Sequence, residues 1–258
     1  MFTLNRRTGA AAFAASVLAA TALTVTTTPA TAIQGGQNTT VVAHPYSMLL
    51  LTPSGEQLCG GTLVAPTKVL TAAHCIDPAA PLDLVVVGGR TELKSAKGTV
   101  RSVKSVKIHP KYDATWLGFD AAVLSLSAPM PYAPLPIASS KDSALYAAGR
   151  TAKTMGWGKT ATNTPGTRLK SAVLTQAPLK SCGPYIAPGD TSATRVCAVP
   201  GVGTKDGICQ GDSGGPLVAG GRLIGIVSTG NKFCDDFLPV SVYTRASTVA
   251  AGLGLPTA

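Results

Sequence analysis

An all-β fold, barrel or sandwich, is what this sequence predicts, and three observations carry that expectation. Short runs of β-branched and aliphatic residues recur about every ten residues from Ile33 onward, separated by turn residues. Hydrophobic residues make up 45% of the 258 residues and charged residues only 13%, which suits a buried core and excludes a disordered chain. Gly (28) and Pro (19) are plentiful but follow no Gly-x-y period, so they punctuate turns and do not build a collagen-type coil.

The first 32 residues read as a secretory signal, outside the fold. Arg6 and Arg7 are followed by an Ala-rich apolar run to about Val25, and Ala30-Thr31-Ala32 has the small-x-small form that signal peptidase accepts. A twin-arginine route fits less well, because Gly9 stands where a bulky apolar residue is preferred. The run is weakly apolar for a bilayer span, and no later stretch reaches 18 uninterrupted apolar residues. The mature protein is therefore expected to be secreted, extracellular and off the membrane, with a net charge of +8 once Arg6 and Arg7 are gone.

Candidate strands then follow in order: Tyr46–Leu51, Thr62–Val64, Leu84–Val87, Val100–Ile108, Ala121–Leu126, Thr154–Trp157, Ala172–Thr175, Leu217–Val218, Arg222–Ser228 and Val240–Thr244. Pro129–Pro136 lies near the midpoint and reads as a joint between two halves. Only the tail, about Thr248 to Leu253, suggests a helix. The net charge of +10 invites a nucleic-acid reading, but 5% aromatic residues are too few for base stacking. The densest basic stretch, Lys94, Lys97, Arg101, Lys104 and Lys107, alternates with Val100, Val103 and Val106 and reads as a solvated strand edge and loop. The six cysteines are an even number and include no C-x-x-C pair, so pairing in an oxidising compartment is expected and a zinc site is not.

The chemistry concentrates at Gly211-Asp212-Ser213-Gly214-Gly215-Pro216. A serine between glycines can sit on a sharp turn with exposed N–H groups, which suits a nucleophile beside an oxyanion hole. Chain order narrows the choice of partners. His44, His74 and His109 all precede Ser213, and no Asp precedes His74, so only the order His, Asp, Ser remains. His74 follows the apolar run Val69-Leu70 and is tethered by Cys75. His44 and His109 precede prolines and are expected at the surface. Asp120 stands just before the apolar run Ala121–Leu126, where a carboxylate can be sheltered; Asp77, Asp113 and Asp142 have loop contexts.

With those residues in place, the chain resembles the trypsin/chymotrypsin-type serine proteases. The matching pieces are Ile33-Gln34-Gly35-Gly36, Thr71–Cys75, Asp120, Gly156-Trp157-Gly158, the Ser213 motif, Ile226-Val227-Ser228 and Val242-Tyr243-Thr244, in order across 33–258. The resemblance implies two six-stranded antiparallel β-barrels, about 33–130 and about 131–258, with a short C-terminal helix. It implies a serine endopeptidase acting through an acyl-enzyme: Ser213 as nucleophile, His74 as base and then acid, Asp120 holding the imidazole, and the Gly211 and Ser213 N–H groups as oxyanion hole. By the same resemblance Cys59 pairs with Cys75, Cys182 with Cys197 and Cys209 with Cys234, and Ser228 supports Asp120. A freed Ile33 amine would pair with Asp212. Because Ile33 directly follows the cleavage motif, signal peptidase itself would create that amine.

The specificity region departs from the family pattern. Gly207 occupies the place of the trypsin pocket aspartate, with Ile208 after it and Asp206 one residue early. An uncharged pocket of Gly207, Ile208, Ser228, Gly230 and Ser241 predicts an apolar P1 residue; a loop shifted by one would bring Asp206 in and select Arg or Lys. The first reading is preferred. Residues 88–98, counterpart of the family's calcium loop, hold only Glu92 as an acid, so no metal and no cofactor is expected. The expected partners are protein or peptide substrates and proteinaceous inhibitors, with no nucleic acid, and the protein is expected to be a monomer. The competing readings are a catalytically silent binding protein on the same fold and a cationic protein held at anionic surfaces.

Overall fold

Period-two alternation explains how one strand serves two cores. In Ser47–Leu51, Met48 and Leu50 point into one hydrophobic cluster, while Leu49 and Leu51 point into another. All five residues are buried, which accounts for an apolar run without polar interruption. The computed structural model describes residues 1–3, 33–160, 165–231, 233–235 and 237–258. Apart from its first three residues, the expected signal segment lies outside them.

After a two-residue strand β1 (Gln37–Asn38), six strands form the first barrel: β2 (Ser47–Leu51), β3 (Gln57–Ala65), β4 (Lys68–Thr71), β5 (Val85–Gly88), β6 (Thr99–Ile108) and β7 (Ala122–Leu126). They close in the order β2-β3-β4-β7-β6-β5, all antiparallel. The second barrel holds β8 (Thr151–Gly156), β9 (Lys170–Ala177), β10 (Arg195–Pro200), β11 (Pro216–Ala219), β12 (Arg222–Gly230) and β13 (Ser241–Arg245). The order β9-β10-β13-β12-β11-β8 is closed by the β8–β9 pairing, and β1 hangs on β9. Helix α1 (Ala246–Leu253) follows and ends at Gly254, whose φ of 74° supplies a left-handed cap.

The barrels share two apolar seams. Leu49, Leu51 and Val87 of the first meet Met155, Trp157 and Leu169 of the second. Leu223 and Ile226 of β12, with Ala246, Val249, Ala250 and Leu253 of the helix, join the first barrel's core. Three buried disulfides staple the fold, Cys59–Cys75, Cys182–Cys197 and Cys209–Cys234.

Two sequence expectations are corrected here. The basic stretch is not a strand edge: β6 pairs with β5 on one side and β7 on the other, because barrel closure leaves no edge. Lys104 and Lys107 are exposed on its outer face, and Val103 faces the core. His44 and His109 are buried, not superficial. His109 stacks on Phe119 at 5.0 Å and accepts the Lys111 N–H, and His44 Nδ1 lies 3.2 Å from the Tyr46 hydroxyl. Burial first, then nearby lysines, pushes both imidazoles below the ordinary histidine value. A following proline restricts the backbone but does not decide burial.

Candidate active site

Strand β4 delivers His74. Its residues Val69, Leu70 and Thr71 are buried, and the chain leaves the barrel through a single 3-10 turn, Ala73–Cys75, pinned by the Cys59–Cys75 disulfide. Asp120 enters from just before β7, which pairs with β4, so barrel pairing brings the two together. The Asp120 carboxylate is fully buried and well provided with donors. Oδ1 accepts the His74 backbone N–H at 3.0 Å, and Oδ2 accepts from His74 Nδ1 at 2.7 Å and from the Ser228 hydroxyl at 2.7 Å. His74 is thus held with Nδ1 toward Asp120 and its other nitrogen free to face the cleft.

Ser213 comes from the second barrel, on the loop before β11. Two glycines make that loop possible. Gly211 has φ 93° and Gly214 φ 78°, both in the left-handed region that costs other residues strain. A Cβ on Gly214 would also collide with Thr71 and with the Gly60 carbonyl, so strand β3 packs directly on the loop. Gly60 N–H donates to the Ser213 carbonyl at 2.7 Å, and Gln57 Nε2 donates to the Gly211 carbonyl at 3.0 Å. These bonds fix the Gly211–Asp212 and Ser213–Gly214 peptide planes.

Asp212 points away from the cleft into the second barrel. It is fully buried, with Oδ1 accepting the Gly158 N–H and Oδ2 the Cys209 N–H, both at 2.8 Å. Burial pushes its carboxyl up to about 7 despite those two bonds. Ile33 is also fully buried, in the apolar cluster of Ile208, Val227 and Tyr243.

His74 and Ser213 line one cleft of about 380 Å³ between the barrels, together with Leu117, Ile208, Gly211, Val227, Ser228 and Gly230. Among the described residues, no carboxylate lines it. A Cβ on Gly230 would press on the Val240 carbonyl and on Ile208, so glycine keeps that wall open. Gly207 and Ser241, expected in the pocket, are not among the residues lining this cleft: Ser241 Oγ accepts the Ile208 N–H at 3.2 Å, and the Gly207 N–H donates to the Gln34 carbonyl. Asp206 lies against Gly35 on the side of the Ile33 segment. The sulfurs of Cys59 and Cys75 lie close to His74, but both are spent in their disulfide, so this group offers no metal ligand set.

One residue of the site lacks a sequence signal altogether. Arg195, at the start of β10, is 2% exposed and bonds to Asp190, Ser228, Thr244 and the carbonyls of Trp116 and Leu117. A lone arginine at a strand start reads as a solvated charge; only the fold reveals its burial.

Comparison with known proteins agrees with this architecture. The trypsin family model matches residues 33–252. A trypsin of Saccharopolyspora erythraea is 41% identical over 218 residues, covering 83% of this chain and 92% of that protein. A chymotrypsin of Phaedon cochleariae is 32% identical over 232 residues, covering 85% and 80%. Among solved structures, human heparin binding protein shares the fold with a TM-score of 0.69 at 23% identity, covering 84% of this chain and 92% of its own. The chain belongs to the trypsin family and is a serine endopeptidase.

Proposed function

We propose that the protein is secreted after loss of residues 1–32 and cleaves peptide bonds on the carboxyl side of apolar residues, using Ser213, His74 and Asp120. The observation that carries this reading is the bond of 2.7 Å between His74 Nδ1 and a buried Asp120, with His74 and Ser213 lining the same cleft. Ser213 Oγ attacks the scissile carbonyl as His74 takes its proton, and the tetrahedral oxyanion is met by the Gly211 and Ser213 N–H groups. His74 then protonates the leaving amine, and water releases the acyl group by the same route in reverse. Asp120 keeps the imidazole in the productive tautomer and stabilises the imidazolium. The family's established triad is the template for these roles.

The apolar preference is supported by the cleft lining. Ile208, Val227 and Leu117 supply apolar surface, Gly230 leaves the entrance open, and Asp206 faces the Ile33 segment. The Ile33 amine freed at the signal site pairs with Asp212 and stabilises the loop that presents the oxyanion donors. The disulfides and the predicted signal support an extracellular monomer acting on proteins or peptides and open to proteinaceous inhibitors. The mature chain from residue 33 forms the protease domain, with a barrel on each side of residue 130.

The test is a cleavage map. The secreted protein, sequenced at its N-terminus, is incubated with a mixed peptide library and the products are identified by mass spectrometry. A start at Ile33 with cleavage after Phe, Tyr, Leu or Met is expected. Cleavage after Arg or Lys would move Asp206 into the pocket, and a start before Ile33 would require a second protease for activation.

A further inference from the structure

We propose that Arg195 is a positioning residue that fixes the direction of the Ser228 hydroxyl and ties it to the loop bearing Leu117. The inference rests on the triad reading above. The guanidinium has five N–H donors and no acceptor, and its five hydrogen bonds match them. Nε donates to Asp190 Oδ1 at 2.9 Å; Nη1 donates to Ser228 Oγ at 3.1 Å and Thr244 Oγ1 at 3.2 Å; Nη2 donates to the Leu117 carbonyl at 2.6 Å and, more weakly, to that of Trp116 at 3.4 Å.

The consequence lies in what a donor-only neighbour forces on a hydroxyl. Ser228 has one hydrogen to give. Because Arg195 can only donate, that hydrogen goes to Asp120 Oδ2, 2.7 Å away, the same oxygen that accepts from His74 Nδ1. A hydroxyl that accepts from a guanidinium is itself a stronger donor, since chained hydrogen bonds polarise one another. Arg195 thus donates to Ser228, and Ser228 and His74 Nδ1 both donate to Asp120 Oδ2, so the chain from Arg195 and the imidazole converge on one carboxylate oxygen. A neutral, apolar side chain at residue 195 would leave the Ser228 hydroxyl able to rotate, and Asp120 would hold the imidazole less firmly.

The second arm reaches substrate. Leu117 and Phe119 have φ of 56° and 48°, a left-handed conformation costly for such side chains, and Leu117 lines the cleft beside His74. Arg195 grips the Leu117 carbonyl, so the group that orders Asp120's support also holds the cleft edge. Burial of the cation is balanced by Asp190, whose side chain is 7% exposed. A fork geometry is required throughout, and a lysine ammonium could not reproduce it.

Replacing Arg195 alone would strand buried Asp190, so the test removes both charges in Asp190→Asn/Arg195→Met, with thermal melting as the check on folding. Two readouts follow: kcat and KM per titrated active site on a single-residue ester, and the low-field proton signal of His74 Nδ1–H by NMR. The double variant is expected to lose about tenfold in kcat, at the low end of what partners that orient a functional group contribute. KM should stay within twofold, and the proton signal should broaden. The loss should largely vanish in a Ser228→Ala background, since the effect is routed through that hydroxyl. An unchanged proton signal and kcat would overturn the inference, as would a loss of the same size without Ser228. If the unsubstituted protein neither hydrolyses the ester nor reacts with a serine-directed phosphonate, the triad reading fails, and the proton signal still decides the role of Arg195.

Discussion

Asp120 accepts three hydrogen bonds and cannot donate one while ionised, which makes its chemistry easy to test. Asp120→Asn keeps the shape but offers an amide, and His74 is then free to adopt the wrong tautomer. A loss of about 10⁴-fold in kcat is expected, the scale known for this change in the template triad, with melting little altered. Asp212 gives a pH signature. In the full chain, where Ile33 carries a peptide bond, burial lifts this carboxyl from 3.8 to about 7. Between those values the folded state binds more protons than the unfolded one, so this group makes stability fall as pH rises from about 4 to about 7. Urea midpoints of the uncleaved Ser213→Ala chain should show that slope, and Asp212→Asn should remove it; an equal slope in both would place the proton elsewhere. Gly230→Val should narrow the cleft mouth and cut kcat/KM for large apolar P1 residues by at least tenfold more than for alanine, because even one methylene in a pocket is worth about 10–200-fold.

Among the elements, legibility followed the hydrophobic pattern. β2, β5, β6, β7, β12 and β13 lie within a residue or two of the apolar runs that predict them, because their buried faces leave long or alternating patterns. β10 is missing from those runs although Val196–Val199 is apolar, because the stretch is short and bounded by charge and proline. Its residues Arg195–Pro200 begin with a cation and end in proline, and pairing with β9 and β13 creates the strand. Arg195 was illegible for the same reason, since its burial arises from tertiary packing. His44 and His109 deceived in the opposite direction: rings beside prolines found aromatic partners. The Ser213 loop was legible because glycine at Gly211 and Gly214 leaves a local trace of φ above zero. The Cys59–Cys75 bridge closes the loop carrying His74, so replacing both cysteines with serine should cost about 3 kcal/mol and lower kcat. Loss of Cys182–Cys197, neither of whose cysteines lines the cleft, should cost similar stability with kcat retained.

For the molecule as a whole, the site exists only where the barrels meet. His74 and Asp120 come from one, Ser213 and Ser228 from the other, and two apolar seams hold them in register. Leu253 of the C-terminal helix lies 3% exposed in the first barrel's core although it follows the last strand of the second. Leu253→Ala should therefore destabilise both barrels together by about 2–5 kcal/mol, and unfolding should remain a single transition by fluorescence and near-ultraviolet circular dichroism. Two separated transitions would mean that the seams do not couple the barrels. The central claim is that this interface makes Ser213 the nucleophile. It is tested most directly by treating the secreted protein with a serine-directed phosphonate and locating the adduct by mass spectrometry. A single adduct on Ser213, lost in His74→Ala, is the predicted result; no adduct, or one on another serine, would contradict the account.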